Sequence, residues 1–111
     1  MKTFETISPA NWKDSLEKEQ GKIIDVRTAH EYEDSFIEGA VNIDCNQPQF
    51  INDIEKLGKT TPLFLYCRSG MRAKNAMDEL QSKGFEKVFN LEGGIMKWEF
   101  DGFKVEYGDD F

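Results

Sequence analysis

The feature that most constrains this chain is the run Leu63 to Tyr66, four apolar residues with no polar interruption, followed at once by Cys67. A strand with one wet face alternates apolar and polar positions. A strand that is apolar throughout has both faces covered, as at the centre of a parallel sheet with helices on either side. The neighbouring segments supply such helices. Ala73, Ala76, Met77 and Leu80 recur at i, i+3, i+4 and i+7, which predicts one apolar helical stripe, and Gly84 supplies its stop. Phe50, Ile54 and Leu57 make a second stripe. Ser8 caps a helix with Pro9 in its first turn and Trp12 and Leu16 on one face. Thr28 and Glu31 form a capping box for a short helix to about Asp34. Gly93 and Gly94 turn into a short helix carrying Met96 and Trp98. Between these lie four further strands: Phe4 to Ile7, Lys22 to Val26, Val41 to Ile43 and Lys87 to Leu91. Strands alternating with helices predict an α/β domain with a central, mostly parallel five-stranded sheet flanked by helices on both faces. The acidic, aromatic stretch after Gly102 carries no assignment.

No repeat, linker or low-complexity tract divides the chain, so residues 1–111 are expected to form a single domain. The formal charge is −7 and the isoelectric point about 4.7, which disfavours nucleic acid and anionic membrane as partners. The longest apolar run is far too short to span a bilayer, and the first twenty residues lack the apolar core of a signal peptide. Two cysteines are too few for a disulfide-stapled secreted scaffold, so a cytoplasmic location is expected. With a single histidine, His30, the usual structural zinc site cannot be assembled, and no metal is expected. Any histidine base would have to be His30, which lies in a polar stretch and is expected to be exposed.

The chemistry converges on Cys67 to Arg72, CRSGMR, between the apolar strand and a helix. Open α/β sheets place their ligands at the carboxyl ends of strands. A tight loop leading into a helix N-terminus can present several peptide N–H groups to one anion. Gly70 lets the loop take a positive φ. Arg68 and Arg72 add positive charge in an acidic chain, and cations at a helix N-terminus favour thiolate over thiol at Cys67. Ser69 and Met71 are expected to contribute backbone amides, and their side chains to tune the choice of donor.

Three stretches resemble the rhodanese family of sulfurtransferases. IIDVRTAHEYEDSFIEGAVNI, from Ile23 to Ile43, is similar to the family's amino-side motif. YCRSGMRA is similar to its active-site loop, and GFEKVFNLEGGIMKW, from Gly84 to Trp98, to its carboxyl-side motif. The resemblance runs from about residue 23 to residue 98. Where the family often has Gly-His-Ile, this chain has Ser35, Phe36 and Ile37. The resemblance implies a rhodanese-like fold and a thiosulfate sulfurtransferase-like enzyme. In it Cys67 takes a sulfane sulfur from a small anionic donor, thiosulfate-like or a persulfide, and holds it as a covalent persulfide. A thiol or cyanide then accepts the sulfur, with no cofactor needed; a sulfur-relay protein is a further possible partner.

The remaining residues divide by role. Arg68 and Arg72 are expected to bind the donor's anionic end, with a carboxylate-held scaffold role the alternative for Arg72. Asp25 and Arg27 are read as structural support, a partly buried pair or network that could join Arg27 to Glu31. Tyr32 and Phe36 are expected in the core. Cys45 follows a strand with no cation beside it; it is a candidate resolving thiol, but is read as structural. Two rivals stand beside sulfur transfer. A cysteine phosphatase or arsenate reductase-like enzyme also cradles an anion in a Cys–Arg loop, but phosphatases place five residues between the two, against four here. A non-catalytic binding module of the same fold is the other.

Overall fold

The structure, a computed structural model, describes residues 2–108. In chain order the elements are β1 (Thr3–Ile7), α1 (Pro9–Glu19), β2 (Lys22–Asp25), α2 (Ala29–Asp34), β3 (Ser35–Phe36) and β4 (Val41–Asn42). There follow α3 (Phe50–Glu55), β5 (Leu63–Tyr66), α4 (Met71–Ser82), β6 (Lys87–Leu91), α5 (Gly94–Phe100) and β7 (Glu106–Tyr107). The main sheet has the order β1-β6-β5-β2-β4, and every pairing in it is parallel. The continuous apolar strand therefore takes the central position, as its composition predicts.

Side-chain alternation along β5 divides the core in two. Leu63, Leu65 and Cys67 join Ile54, Ala73, Ala76, Met77 and Leu80, so that face packs on α3 and α4. Phe64 and Tyr66 join Trp12, Ile95 and Trp98 on the opposite face, against α1 and α5. The caps form as the sequence predicts: the Asn11 N–H donates to Ser8 Oγ, and Thr28 and Glu31 complete their reciprocal box.

The short ribbon of β3 and β7 was not predicted. Ser35 pairs with Tyr107 and Phe36 with Glu106, antiparallel, in a two-stranded sheet of its own. Two residues per strand are too few to show an alternation, and their partners lie some seventy positions apart in the chain. The ribbon also corrects the placement of Tyr32 and Phe36. They stack on each other with ring centroids 4.7 Å apart and are both half-buried; Tyr32 packs against the edge of the core, while Phe36 belongs to neither core cluster.

Trp12 anchors the α1 side through edge-to-face contacts with Phe64, Tyr66 and Trp98 at 5.5–6.3 Å. Its buried indole N–H has no acceptor among the described residues. Trp12→Ala should cost about 3–5 kcal/mol in urea unfolding. Trp12→Phe, which keeps a ring and removes an unpaired donor, should cost well under half of that. Equal losses in the two variants would contradict this packing.

Candidate active site

Strand parity sends Cys67 toward α4, and it is 1% exposed. The chain then turns through Arg68, Ser69 and Gly70 into α4. The loop keeps its shape because its carbonyls are drawn away from the sulfur. The Cys67 carbonyl accepts from the Ile95 N–H at 2.9 Å and the Arg68 carbonyl from the Met96 N–H at 3.1 Å, both at the start of α5. The Gly70 carbonyl accepts from the Lys74 N–H at 3.0 Å and from Asn90 Nδ2 at 3.2 Å. Two N–H groups donate to the sulfur, Gly70 to Cys67 Sγ at 3.1 Å and Ala73 at 3.4 Å, and the captured carbonyls turn the N–H groups that share their peptides, those of Arg68, Ser69 and Met71, the opposite way. Gly70 holds the turn at φ +111°. At Gly94 a Cβ would collide with the Arg68 carbonyl, so the clamp from α5 requires glycine there.

The donors to the sulfur are thus Gly70 and Ala73, where Ser69 and Met71 were expected. Among the described residues, the N–H groups of Arg68, Ser69, Met71 and Arg72 donate to no protein acceptor. They are the free first-turn and loop amides that a helix start provides.

The two loop arginines differ. Arg68 is exposed beside Ser69 and Met71 and makes no ion pair among the described residues. Arg72 is held by a carboxylate: its Nη1 and Nη2 donate to Glu31 Oε1 and Oε2, each at 2.8 Å. Glu31 Oε1 also accepts from the Thr28 N–H and hydroxyl at 3.2 and 3.1 Å. The guanidinium hydrogen bonds hold the Glu31 carboxyl down at about 2, and Glu31 in turn raises Arg72 further.

This corrects the pairing expected for Arg27, since Glu31 belongs to Arg72. Arg27 pairs with Asp25 instead, Nη2 to Oδ2 at 2.7 Å and Nε to Oδ1 at 3.0 Å, and both are buried. Burial works against the Arg27 charge, but the Asp25 hydrogen bond and charge outweigh it and raise Arg27. Arg27 Nη2 also donates to the Ser35 carbonyl, tying the pair to the β3–β7 ribbon.

His30 is exposed on α2. No group of acidic, histidine or cysteine side chains suited to a metal occurs among the described residues. The Cys45 N–H donates to the Val26 carbonyl, and the Val26 N–H to the Tyr66 carbonyl. Cys45 is thus two strand spacings from the end of β5, roughly 10 Å, where a disulfide needs Cα atoms within about 7 Å. Burial pushes the Cys45 thiol up. Both facts fit a structural residue.

One contact and one residue of the site lie outside the sequence reading. Glu31 is read as a cap and as a partner for Arg27, and its bond to Arg72, 41 positions away, is the contact. Asn90 is 1% exposed, with Nδ2 donating to Gly70 and to Thr6 Oγ1. A lone polar residue inside KVFNL was a signal that could have found it.

The family profile for the rhodanese-like domain matches residues 8–101. The chain belongs to the rhodanese-like domain family. The tRNA uridine(34) hydroxylase of Chlamydia abortus is 34% identical to it over 98 residues, 83% of this chain and 30% of that protein. The chain therefore spans about a third of the length of that relative. A rhodanese-like domain from Anabaena sp. is 25% identical with a TM-score of 0.77, over 96% of this chain and 88% of that one. The thiosulfate sulfurtransferase of Pseudomonas aeruginosa is 19% identical with a TM-score of 0.81, over 95% of this chain and 20% of that one, and shows the shared fold.

The Glu31–Arg72 pair carries a pH signature. Glu31 is shifted from 4.5 to about 2, so its contribution is complete above about pH 4.5 and is lost as the pH falls through about 2. Wild type should exceed Glu31→Gln in stability by on the order of 1 kcal/mol at neutral pH, and the gap should close over that acid window. Denaturant titrations of both proteins check this; a gap independent of pH would contradict the pair. Asn90→Ala should cost about 1 kcal/mol in the same measurement, because it removes the Nδ2 bonds to the Gly70 carbonyl and Thr6 Oγ1 while that carbonyl keeps the Lys74 N–H.

Proposed function

We propose that the chain is a sulfurtransferase that moves a sulfane sulfur from an anionic donor to a thiol or cyanide through a persulfide on Cys67. The observation that carries this reading is the loop's polarity: the carbonyls of Cys67, Arg68 and Gly70 held from outside the loop, two N–H groups on Sγ, and four more loop N–H groups without a protein acceptor among the described residues. Such an array stabilises negative charge on Cys67 sulfur and on a second sulfur attached to it. With thiosulfate, the Cys67 thiolate attacks the outer sulfur, the donor's S–S bond breaks, sulfite departs with the bonding pair, and Cys67–S–S⁻ remains. Cyanide or a thiolate then attacks the terminal sulfur and restores the Cys67 thiolate. No cofactor enters this scheme. Arg68, exposed and unpaired among the described residues, is the cation placed to attract the donor; Arg72 holds the first turn of α4 against Glu31.

Phosphate transfer fits less well. A phosphatase wants a carboxylic acid for its leaving group. Glu31 and Asp25 are both engaged by arginines. Although Glu92 lines the depression beside Gly70 without an ion pair among the described residues, only four residues separate Cys67 from Arg72, where phosphatases place five. The likeness to tRNA uridine(34) hydroxylases supports a second reading, in which the domain serves an RNA-modifying reaction. The charge of −7 opposes direct RNA contact by this chain.

Cys67→Ser should abolish sulfur transfer from thiosulfate to cyanide and the mass gain of one sulfur atom, while Cys45→Ser should keep most activity. Turnover by Cys67→Ser, or hydrolysis of aryl phosphates by the wild type that is lost in this variant, would overturn the proposal. Arg68→Ala should raise KM for thiosulfate by roughly tenfold with kcat nearly unchanged. Added salt should act on wild-type KM in the same direction.

A further inference from the structure

Cys67 lies on the α3–α4 side of the sheet. The opposite side holds a cavity of about 200 Å³ that the sulfur chemistry does not use. Its apolar walls are Leu16 of α1, Ile23 of β2, Ile37, Trp98 of α5 and Phe103. These walls are pinned from behind. The Ile37 N–H donates to the Tyr66 hydroxyl at 3.0 Å. Trp98 Nε1 donates to the Lys104 carbonyl at 2.9 Å, and the Phe103 N–H donates to the Trp98 carbonyl at 3.1 Å. The Trp98 and Phe103 rings stack with centroids 4.6 Å apart. Walls fixed in this way make a pre-formed hollow, the usual form of a small-molecule site. An apolar cavity of roughly 150 Å³ admits benzene, and sites for drug-sized molecules begin near roughly 300 Å³. The space between those limits suits one ring with a short tail, and the indole and phenyl walls suit an aromatic ring.

The rim says what the tail carries. It holds Lys13, Glu17, Glu38, Lys104 and Glu106. Four of these are matched within the chain, Lys13 with Glu17 at 2.9 Å and Lys104 with Glu106 at 3.2 Å. Glu38 is exposed and has no ion pair among the described residues. The rim is left with one unmatched carboxylate, on a molecule of charge −7. An anionic tail would meet Glu38 and the general field together, whereas a cationic one is drawn by both.

One helix serves both this cavity and the Cys67 loop. The Ile95 and Met96 N–H groups, early in α5, hold the Cys67 and Arg68 carbonyls, and Trp98 enters the cavity wall about one turn later. A molecule packed on Trp98 favours the conformations in which this seven-residue helix is seated, and disfavours those in which it lifts from the loop. We infer that the cavity binds a small aromatic amine, its ring among the apolar walls and its ammonium beside Glu38, and that occupancy steadies the clamp of α5 on the Cys67 loop. The site takes no part in sulfur transfer and stands whether or not the sulfurtransferase reading does.

Titration of the full chain with 2-phenylethylamine, followed by NMR of the amide and indole N–H groups, tests the site. The Trp98 indole and the Ile23 and Phe103 amides should shift saturably. At low salt the amine should bind at least about fivefold tighter than 3-phenylpropanoate, which has the same ring and a similar chain but ends in a carboxylate. Glu38→Gln, a change at an exposed position, should narrow that preference to about twofold. Leu16→Trp should abolish binding by filling the cavity, and its spectrum reports at once whether the fold is kept. Equal affinity for the two probes, a preference untouched by Glu38→Gln, or shifts centred away from the cavity would overturn the site. In hydrogen exchange, saturating amine should slow the Ile95 and Met96 amides at least about threefold more than the Asp53 amide of α3. Equal slowing at all three would overturn the link to the loop.

Discussion

The site depends on one physical arrangement, the capture of the loop's carbonyls by groups outside it. A peptide carries its N–H and C=O on opposite sides, so drawing out the carbonyls of Cys67, Arg68 and Gly70 turns in the N–H groups of Arg68, Ser69 and Met71, beside the Gly70 and Ala73 donors to the sulfur. Ile95, Met96 and Asn90 supply the outward pull. The sulfur environment is therefore made as much by α5 and β6 as by the loop itself. This explains why Gly94 has no room for a side chain: the helix start must come within hydrogen-bonding reach of two carbonyls on a neighbouring turn. It also explains why a buried asparagine sits in an otherwise apolar strand.

The two charged pairs answer a different need. Asp25 and Arg27 are buried, and each would be costly alone, so together they form a neutral unit that also holds the Ser35 carbonyl. Arg72 and Glu31 join the first turn of α4 to α2 across the mouth. An arginine whose two terminal nitrogens are both engaged in this way has spent its best geometry on a carboxylate. Arg68, without such a partner, keeps its guanidinium for whatever arrives. Two arginines separated by three residues thus do unlike jobs on one short loop.

Most of the fold was legible because it rests on local pattern. The all-apolar β5 sits at the centre of the sheet, and Ala73, Ala76, Met77 and Leu80 are all buried at the spacing that named them. Ser8 and Thr28 cap as their positions indicate. The site was legible as far as its chain-local parts, from Cys67 to Arg72. Its long-range parts were not: the Glu31–Arg72 pair, the Asn90–Gly70 bond and the β3–β7 ribbon join residues 20 to some 70 positions apart. A hydrogen bond between distant residues leaves no periodicity in either segment.

The ribbon sets an order on how the molecule can be completed. All five parallel strands and the helices around them are encoded by residue 100, and a nascent chain of that length holds every member of the loop network. It still lacks Glu106 and Tyr107, the strand against which Ser35 and Phe36 pair. Ser35 follows directly on α2, the helix that carries Glu31, and its carbonyl is the third partner of Arg27. The brace is thus the last part of the fold along the chain, and through the Ser35 carbonyl it ties residues 106–107 back to the buried pair at residues 25 and 27.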